Sequence, residues 1–514
     1  MSPVAASSAS PRAGAPAPVT LVMGLGETGV AAARWCARQG DVVRVLDTRE
    51  QPPGLAALQA HGMVVQGHLG VAQFDEAFLQ GVQTLVVSPG ISPRDPNVAG
   101  FLAQARARGV DVLGEIELFA RALKALHGQE GYAPRVLAVT GTNGKTTVTA
   151  LTRELVEAAG YRVRAAGNIG PAALAALLDA VEHDMLPEVW VLELSSFQIE
   201  GTESLQADAA VVLNVTQDHL DWHGSMPAYA AAKARLYGMA GCKVFNRDDA
   251  RVRDMIADAA DLQVCSFGLG QPALVGDLGI HEQGGLAWLS VMEADSASQP
   301  VRARKSARRT PPDSGRQAGR LLDLMPAEAL RIRGQHNVLN ALAALALGRA
   351  IGLDWASMLH AVRAYRGEVH RMQFVRSVAG VDFIDDSKGT NVGATLAALQ
   401  GLGRPSVLIA GGLGKGQDFQ PLSAAVRDHA RAVMLIGQDA RIVAQALSDS
   451  GVPLHFCTSL EEAVRQGFER AQAGDAVLLS PACASMDMFR NYVHRGQHFV
   501  ACVDALAADQ GEVA

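Results

Sequence analysis

A glycine-rich turn between an apolar run and the start of a helix constrains this chain more than any other feature. Residues 136–147 read Val-Leu-Ala-Val-Thr-Gly-Thr-Asn-Gly-Lys-Thr-Thr. Gly141 and Gly144 let the backbone curl so that consecutive amides and the helix N-terminus converge on a phosphate. Lys145 adds a positive charge, and Thr146 offers a hydroxyl to Mg²⁺. The segment therefore predicts a nucleoside triphosphate site in an α/β fold.

The turn departs from the full phosphate-loop pattern at one position. That pattern has a glycine five residues before Gly144, where this chain has Val139. The loop is therefore a shortened version that begins Thr-Gly. The alternative is an ordinary turn between strand and helix that only happens to contain Gly-Lys-Thr.

Length and composition describe a folded enzyme of several domains. The 514 residues, with 49% hydrophobic and 19% charged residues, suggest about three α/β domains at roughly 150 residues each. The net charge of -7 gives no reason to expect nucleic acid as a partner. The six cysteines lie singly, without the spacing of a zinc site or a disulfide framework, so we expect a cytoplasmic protein. We also expect a monomer. The apolar helix near residues 338–347 contains Asn340, so we expect no stable membrane insertion.

The N-terminal region predicts a Rossmann-like domain at residues 19–128, after a flexible Ala/Ser/Pro-rich tail at residues 1–18. A strand at residues 19–23 leads into Gly-Leu-Gly-Glu-Thr-Gly at residues 24–29, and a second strand ends at Asp47. This is the fingerprint of a dinucleotide-binding βαβ unit.

Two further α/β domains follow. Residues 129–367 predict a central open-sheet domain of the P-loop ATPase type, because short apolar runs there end in polar residues. Residues 368–514 alternate strands and helices, which predicts a doubly wound, Rossmann-like C-terminal domain. The central domain carries an insertion at about residues 295–322, whose basic part is residues 301–320. We interpret it as a solvated loop, and a basic arm for nucleic acid is the alternative.

Polar residues mark the ends of central strands. Glu193 ends one predicted strand, Asn214 ends another and leads into Asp218 and His219, and Lys233 follows later. A carboxylate and a histidine at neighbouring strand ends beside a phosphate loop can hold Mg²⁺ against transferring phosphate oxygens. Each of these residues alone could equally be a cap or a core residue.

Several motifs occur in the order seen in the Mur ligases, and the chain resembles that family from about residue 19 to its end. They are the turn at residues 140–147, Glu-Leu-Ser-Ser-Phe-Gln at 193–198, Asp-His-Leu-Asp at 218–221, Gly-Gln-His-Asn-Val-Leu-Asn at 334–340, His370-Arg371 and Asp-Asp-Ser-Lys-Gly-Thr-Asn at 385–391. The resemblance is greatest to members that add D-glutamate to UDP-N-acetylmuramoyl-L-alanine with ATP and two Mg²⁺ ions.

The resemblance implies roles for individual residues. Lys233 would be carbamylated, which turns a cation into an oxygen ligand for Mg²⁺. Its alternative is an ordinary unmodified helix lysine. The implied sets are as follows: catalytic, Lys145, Glu193, His219, Lys233, Arg371 and Asp386; ATP, Gly141, Thr142, Asn143, Gly144, Lys145, Thr146, Thr147, Asn337, Asn340, Arg371 and Asp386; metal, Thr146, Glu193, His219 and Lys233.

Two further sets concern the substrates. The UDP precursor would be bound by Gly26, Glu27, Thr28, Asp47, Thr48, Arg49, Gly90, Asn168, Ser195 and Gln198. D-Glutamate would be bound by Lys388, Thr390, Lys415, Ser485 and Tyr492. Of these, Tyr492 stands where the resemblance leads us to expect phenylalanine.

Other functions remain open from the sequence. Another ligase of the family is the nearest, although the Asp-Asn-Pro-Arg motif expected of a diamino-acid-adding member does not occur. Folate polyglutamate ligation would give residues 24–47 no purpose. An NAD-dependent dehydrogenase would leave the phosphate loop idle, and a non-catalytic nucleotide-binding scaffold would not need the catalytic set.

Overall fold

A computed structural model describes residues 17–63, 66–295, 315–332 and 334–512. Within these ranges the chain forms two compact units. The first unit comprises residues 17–140, 160–210 and 231–242, and the second comprises residues 141–159, 211–230 and 243–512. Most of the predicted tail, and residues 296–314 of the predicted insertion, lie outside the described residues.

The N-terminal sheet has five parallel strands in the order β3-β2-β1-β4-β5. The apolar run of β1 explains its central place, because Leu21, Val22 and Met23 are fully buried. The Rossmann-like prediction is confirmed. The strands are β1 (Val19–Met23), β2 (Val42–Asp47), β3 (Gln66–Leu69), β4 (Thr84–Val87) and β5 (Asp111–Leu113), and the helices are α1 (Glu27–Arg38), α2 (Gly54–Ala60), α3 (Pro96–Ala107) and α4 (Glu115–Glu130).

The second sheet has nine strands in the order β14-β13-β12-β11-β10-β9-β6-β8-β7. Its strands are β6 (Arg135–Thr140), β7 (Val163–Gly167), β8 (Val189–Glu193), β9 (Ala207–Val212), β10 (Ala240–Asn246), β11 (Val264–Phe267), β12 (Leu278–Gln283), β13 (Leu286–Glu293) and β14 (Arg320–Pro326). The helices are α5 (Lys145–Ala158), α6 (Ala173–Glu182), α7 (Ser196–Glu200), α8 (Leu220–His223), α9 (Met226–Ala234), α10 (Ala250–Arg253), α11 (Gln335–Ala350) and α12 (Trp355–Ala364).

Two features of this sheet differ from expectation. Strands β12, β13 and β14 pair antiparallel, in a part of the chain where the sequence predicted no strands. The predicted insertion falls between β13 and β14. Strand β9 also ends at Val212, so Asn214 lies in the loop that follows and not at the strand end.

The third sheet has six strands in the order β15-β16-β20-β17-β18-β19, and only β15 pairs antiparallel. Side chains of β17 alternate between two cores: Leu408 packs with α13 and α14, and Val407 packs with α16 and α17. Helices therefore cover both faces, as a doubly wound fold requires. The strands are β15 (Gln373–Val378), β16 (Val381–Asp385), β17 (Ser406–Gly411), β18 (Ala430–Ile436), β19 (Leu454–Phe456) and β20 (Ala476–Leu479), and the helices are α13 (Val392–Gly401), α14 (Leu422–His429), α15 (Ala440–Ala446), α16 (Leu460–Arg470) and α17 (Tyr492–Asp509).

The apolar helix α11 is a core helix. Its residues from Ala341 to Leu347 are all buried, and it packs against α5. In the part of the chain that the structure describes, no helix combines the length and the hydropathy needed to cross a membrane.

Candidate active site

The phosphate loop runs from the end of β6 to the first turn of α5. Gly144 has φ 84°, a left-handed conformation that favours glycine. The ammonium of Lys145 folds back and donates to the carbonyl oxygens of Gly141 at 2.9 Å and Thr142 at 2.8 Å. The lysine charge is thus held over the loop, while Thr146 lies in the first turn of α5.

Asn214 fixes the shape of this loop. Its side-chain oxygen accepts from the backbone amide of Asn143 at 2.8 Å, and its amide group donates to the carbonyl oxygen of Asn143 at 3.1 Å. The carbonyl oxygen of Asn214 accepts from the backbone amide of Thr142 at 2.9 Å. Asn214 therefore holds the phosphate loop in place, a role that the sequence did not predict for any residue.

A cleft beside the loop lies wholly in the second unit and measures about 870 Å³ including its open mouth. It gathers residues from the phosphate loop, α11, the segment before β15 and the segment after β16. The predicted residues that line it are Asn143, Gly144, Thr147, Asn337, Asn340, Arg371, Asp386 and Lys388. Most of the residues expected at ATP therefore share one cleft.

Gly144 and Asn340 approach each other closely in this cleft. A Cβ atom on Gly144 would lie 2.5 Å from the side-chain oxygen of Asn340. The amide group of Asn340 donates to the side-chain oxygen of Asn337 at 3.1 Å. Only glycine therefore lets the loop reach the first turns of α11.

Asp386 is a buried carboxyl group in the cleft, and burial raises its pKa to about 7. Hydrogen bonds from the Ser480 hydroxyl at 2.7 Å and from the Met372 amide at 3.3 Å, together with the Arg371 charge, oppose that rise. Because a Cβ atom on Gly389 would lie 2.6 Å from this carboxyl, glycine is required there too.

His370 does not line the cleft, although its neighbour Arg371 does. Its imidazole nitrogen Nδ1 lies 2.6 Å from a carboxylate oxygen of Asp385, and both side chains are buried. Its carbonyl oxygen accepts from the backbone amide of Lys388 at 3.1 Å. His370 and Met372 have φ 63° and 47°, so left-handed residues flank Arg371 on both sides. His370 therefore shapes the segment that carries Arg371.

A second group of polar residues follows three adjacent parallel strands of the third sheet. Lys388 and Thr390 follow β16, Ser485 follows β20, and Lys415 follows β17. The carboxyl ends of neighbouring parallel strands meet at one edge, so these loops lie side by side. The ammonium of Lys388 lies 3.8 Å from the centre of the Tyr492 ring, which places Tyr492 in the same group.

A different cleft lies wholly in the first unit and measures about 760 Å³ including its mouth. Ser195 and Gln198 contribute to it and also form a capping box on α7, so part of their role is structural. The predicted residues that line this cleft are Glu27, Thr28, Gly90, Asn168, Ser195 and Gln198.

Four residues predicted with this set lie elsewhere in the first unit. Gly26 caps α1, and Thr48 is exposed after β2. The buried carboxylate of Asp47 accepts from the Leu25 amide at 2.7 Å and from the Arg49 guanidinium at 2.7 and 2.8 Å. Although burial opposes it, these hydrogen bonds lower the pKa of Asp47 to about 2. Asp47 therefore closes the glycine turn at Leu25.

The predicted metal ligands are distributed between the units. In the first unit, Glu193 is 2% exposed and Lys233 is 1% exposed. One oxygen of Glu193 accepts from the Asn168 amide at 2.7 Å, and its other oxygen, Oε2, is buried without a hydrogen-bond partner among the described residues. In the second unit, His219 has φ 52°, and its ring lies edge-on to Tyr229. A buried carboxylate oxygen without a partner is costly and suits a metal ion.

Comparison with known proteins covers nearly the whole chain. Three family descriptions match: "Mur ligase MurD-like, N-terminal domain" at residues 19–114, "Mur ligase middle domain" at 139–308 and "Mur ligase, glutamate ligase domain" at 370–483. A UDP-N-acetylmuramoylalanine–D-glutamate ligase of Bordetella avium is 60% identical over 97% of this chain and 98% of its own length.

The chain belongs to the Mur ligase family. A relative of the same name from Ralstonia nicotianae is 56% identical over 96% of this chain and 98% of its own. Among solved structures, a UDP-N-acetylmuramate–alanine ligase of Thermotoga maritima superposes with a TM-score of 0.55 at 19% identity, covering 95% of this chain and 99% of that one. That likeness supports the Mur ligase fold.

The structure of this Mur ligase adds cleft residues to which the sequence alone gave no role. Phe267 closes one wall at the end of β11, and Asn246 does so at the end of β10. His336 lies in one of the family motifs, where only the neighbouring asparagines had an expected role. Burial lowers the pKa of His336 to about 4, so its imidazole is neutral at pH 7. Strand ends in the phosphate-loop domain were the signal that could have found the first two.

Proposed function

We propose that this Mur ligase uses ATP to join D-glutamate to UDP-N-acetylmuramoyl-L-alanine, in the synthesis of the peptidoglycan precursor. The observation that carries the proposal is the 60% identity, over 97% of the chain, to a ligase named for this reaction. A dehydrogenase would leave the phosphate-loop cleft idle, and a non-catalytic nucleotide-binding scaffold would not need the set Lys145, Glu193, His219, Arg371 and Asp386.

The reaction proceeds through an acyl phosphate. The terminal carboxylate of the precursor attacks the γ-phosphorus of ATP, and ADP leaves. The amine of D-glutamate then attacks the acyl carbon, loses a proton, and displaces inorganic phosphate as the amide forms. Positioning and charge neutralisation dominate such phosphoryl transfers. Lys145 and Arg371 are the cations assigned to the developing phosphate charge.

We assign ATP to the cleft in the second unit. The glycine loop with its Lys145 charge suits the phosphates, and Asn337 and Asn340 suit the base. Neutral His336 and apolar Phe267 add surface for an uncharged ring system. Asp386 and Arg371 reach the same cleft from the third sheet, which supports their assignment to the nucleotide.

Mg²⁺ is part of the proposal. The Oε2 of Glu193 fits a metal ion, and Thr146, His219 and a carbamylated Lys233 are the other residues that the family resemblance assigns to Mg²⁺. Among the described residues, no three His, Cys, Asp or Glu side chains converge as a metal site, so phosphate oxygens, water and the carbamate would supply the rest. When bound, two Mg²⁺ ions would neutralise phosphate charge.

Carbamylation of Lys233 is supported by the burial of a residue that is rarely buried. A Lys233→Ala variant should lose most activity, and short carboxylates such as acetate should restore part of it by supplying the missing oxygen ligand. Full activity of the untreated variant would contradict the carbamate.

We assign the UDP precursor to the cleft in the first unit, with the turn at Gly26 on its pyrophosphate and Asp47, Thr48 and Arg49 on its uridine. Helix N-termini bind such anions well. D-Glutamate is assigned to Lys388, Thr390, Lys415, Ser485 and Tyr492, because cations and hydroxyls there match its two carboxylates. We expect a cytoplasmic monomer that needs no nucleic acid and no membrane.

The test is phosphate release from ATP in the presence of UDP-N-acetylmuramoyl-L-alanine while the amino acid is varied. The proposal expects release with D-glutamate and little with L-alanine or a diamino acid. Equal release with all three would exclude the substrate assignment.

A further inference from the structure

Gln417 lies where the three loops assigned to D-glutamate meet. The first loop, residues 386–391 together with Val392 at the start of α13, follows β16; the second, residues 412–417, follows β17; the third, residues 480–485, follows β20. We propose that Gln417 is the positioning residue that sets the spacing of these three loops, and therefore the affinity for D-glutamate. This inference rests on the proposed function.

One amide side chain contacts all three loops. The side-chain oxygen of Gln417 accepts from the backbone amide of Val392 at 3.1 Å, at the end of the first loop. Its amide nitrogen donates to the carbonyl oxygen of Gly414 at 3.1 Å in the second loop, and to that of Ala482 at 3.4 Å in the third. The two ends of the amide therefore match one donor and two acceptors, which fixes its orientation.

The anchors of Gln417 adjoin the residues assigned to the ligand. Gly414 directly precedes Lys415, Val392 lies two residues beyond Thr390, and Ala482 lies three residues before Ser485. A shift of any anchor is therefore passed on to a ligand-binding side chain within three residues.

Backbone hydrogen bonds join the same loops in pairs. Leu413 and Ala484 form an isolated antiparallel bridge, with both N–H···O distances 2.9 Å. The amide of Ala482 donates to the carbonyl oxygen of Gly389 at 2.9 Å. Gln417 adds the contact that links all three loops at once. Lys415 has φ 53° and Ala482 has φ 57°, so both loops hold a backbone conformation that needs support.

The position of Gln417 outside the phosphate-loop cleft makes its effect larger on D-glutamate than on ATP. Gln417 does not line the phosphate-loop cleft, whereas Lys388 lines it and also belongs to the first loop. Asp386 of the first loop lines this cleft too, so loss of Gln417 should change the geometry around D-glutamate most and the nucleotide site less.

The experiment compares Gln417→Ala, Gln417→Glu and Gln417→Asn with a matched control, Gln420→Ala. Gln420 lies three residues further along and is exposed. Glutamate keeps the acceptor for Val392 and cannot donate to the two carbonyl oxygens, whereas asparagine keeps the amide and is too short to span the loops. The mild Gln417→Asn variant keeps the test valid if the others do not fold.

We expect the KM for D-glutamate to rise about tenfold to a hundredfold in the Gln417 variants. The KM for ATP should rise less than the KM for D-glutamate, because Asp386 of the first loop also lines the phosphate-loop cleft. The KM for the precursor and the melting temperature should stay at wild-type values, and Gln420→Ala should behave as wild type. A wild-type KM for D-glutamate in all Gln417 variants would overturn the inference. So would equal changes in all three KM values with a lower melting temperature, since these would indicate a general loss of stability.

Failure of the proposed function would look different. In that case the wild-type enzyme itself would release no phosphate in response to D-glutamate, and both the proposal and the inference would fall. A wild type that responds to D-glutamate, with Gln417 variants that respond equally well, would overturn the inference alone.

Discussion

Individual carboxylates in this enzyme are tuned by what surrounds them. Asp47 accepts hydrogen bonds from a backbone amide and a guanidinium, and its pKa falls to about 2. Glu115 is buried with one hydrogen bond to a backbone amide, and its pKa rises to about 7. Glu193 keeps one buried oxygen without a partner among the described residues. The same chemical group therefore serves as a clamp, a buried acid and a candidate metal ligand.

The Glu193→Gln variant tests the metal assignment. The new side-chain amide still has an oxygen that can accept from Asn168, so the local fold should persist, but the anionic oxygen is gone. The Mg²⁺ concentration for half-maximal activity should rise about tenfold or more. Titration of Mg²⁺ in the phosphate-release assay measures this, with Glu200→Gln, an exposed glutamate at the end of α7, as the control. An unchanged Mg²⁺ requirement would remove Glu193 from the metal site.

Glu115 predicts a pH dependence of stability. Its Oε1 accepts from the Leu174 amide at 2.5 Å, and burial raises its pKa from 4.5 to about 7. Between these values the folded protein holds a proton that the unfolded chain has lost, so the contribution of Glu115 to stability falls as pH rises. The loss amounts to roughly 3 kcal/mol.

The Glu115→Gln variant does not titrate. Its free energy of unfolding relative to wild type should therefore increase between pH 5 and pH 8, and the difference in melting temperature reports this. Glu130→Gln, at the exposed end of the same helix, should show no such trend. A pH-independent difference for Glu115→Gln would contradict the raised pKa.

At the scale of elements, the ends of strands and helices determine where the chemistry can occur. The phosphate loop joins β6 to α5, and the loops that we assign to D-glutamate follow three adjacent strands of the third sheet. Apolar runs that end in polar residues made these positions predictable from the sequence. The antiparallel strands β12 to β14 were not, because periodicity does not distinguish the direction of pairing. Contacts such as that of Gln417 were also unpredictable, since they depend on side-chain direction between loops distant in sequence.

A pair of glycines separates backbone strain from cleft geometry. Gly144 has φ 84°, with Asn340 close by, whereas Gly160 has φ 87°, and a Cβ atom on Gly160 would meet nothing within 4 Å. Alanine at either position should cost roughly 1 kcal/mol of stability because of the left-handed backbone. Only Gly144→Ala should also weaken ADP binding, by about tenfold or more, because the loop can no longer approach α11.

Calorimetric titration with ADP and thermal melting of both variants check this. Equal ADP affinities for Gly144→Ala and Gly160→Ala would show that the approach to Asn340 does not matter for the nucleotide.

Across the chain, the residues that we assign to the reaction are carried by different sheets. Within the second unit, the phosphate loop already contacts the third sheet's first helix. Asn391, which caps α13, donates to the side-chain oxygen of Asn143 at 2.9 Å and accepts from its amide at 3.2 Å. Gly393 keeps that contact tight, since a Cβ atom there would lie 2.9 Å from the Thr216 hydroxyl. Such a paired amide contact can hold a closed arrangement during catalysis.

An Asn391→Asp variant tests this contact, together with the weaker donation from the Asn391 amide to the Asp218 carboxylate at 3.5 Å. Aspartate caps a helix as well as asparagine, but it cannot donate to Asn143. Loss of the hydrogen bond and repulsion between the two oxygens should raise the free energy of the closed, catalytic arrangement by roughly 1.5–3 kcal/mol. We therefore expect kcat to fall about tenfold or more. An unchanged melting temperature would show that the cap is intact, and an unchanged kcat would show that the pair plays no part in turnover.

The assignment of D-glutamate as the amino-acid substrate predicts that phosphate release depends on which amino acid is supplied. With ATP, Mg²⁺ and UDP-N-acetylmuramoyl-L-alanine, we expect release of phosphate on addition of D-glutamate, together with formation of the amide product. Equal release with L-alanine or a diamino acid, or no release with D-glutamate, would contradict the assignment of D-glutamate as the substrate.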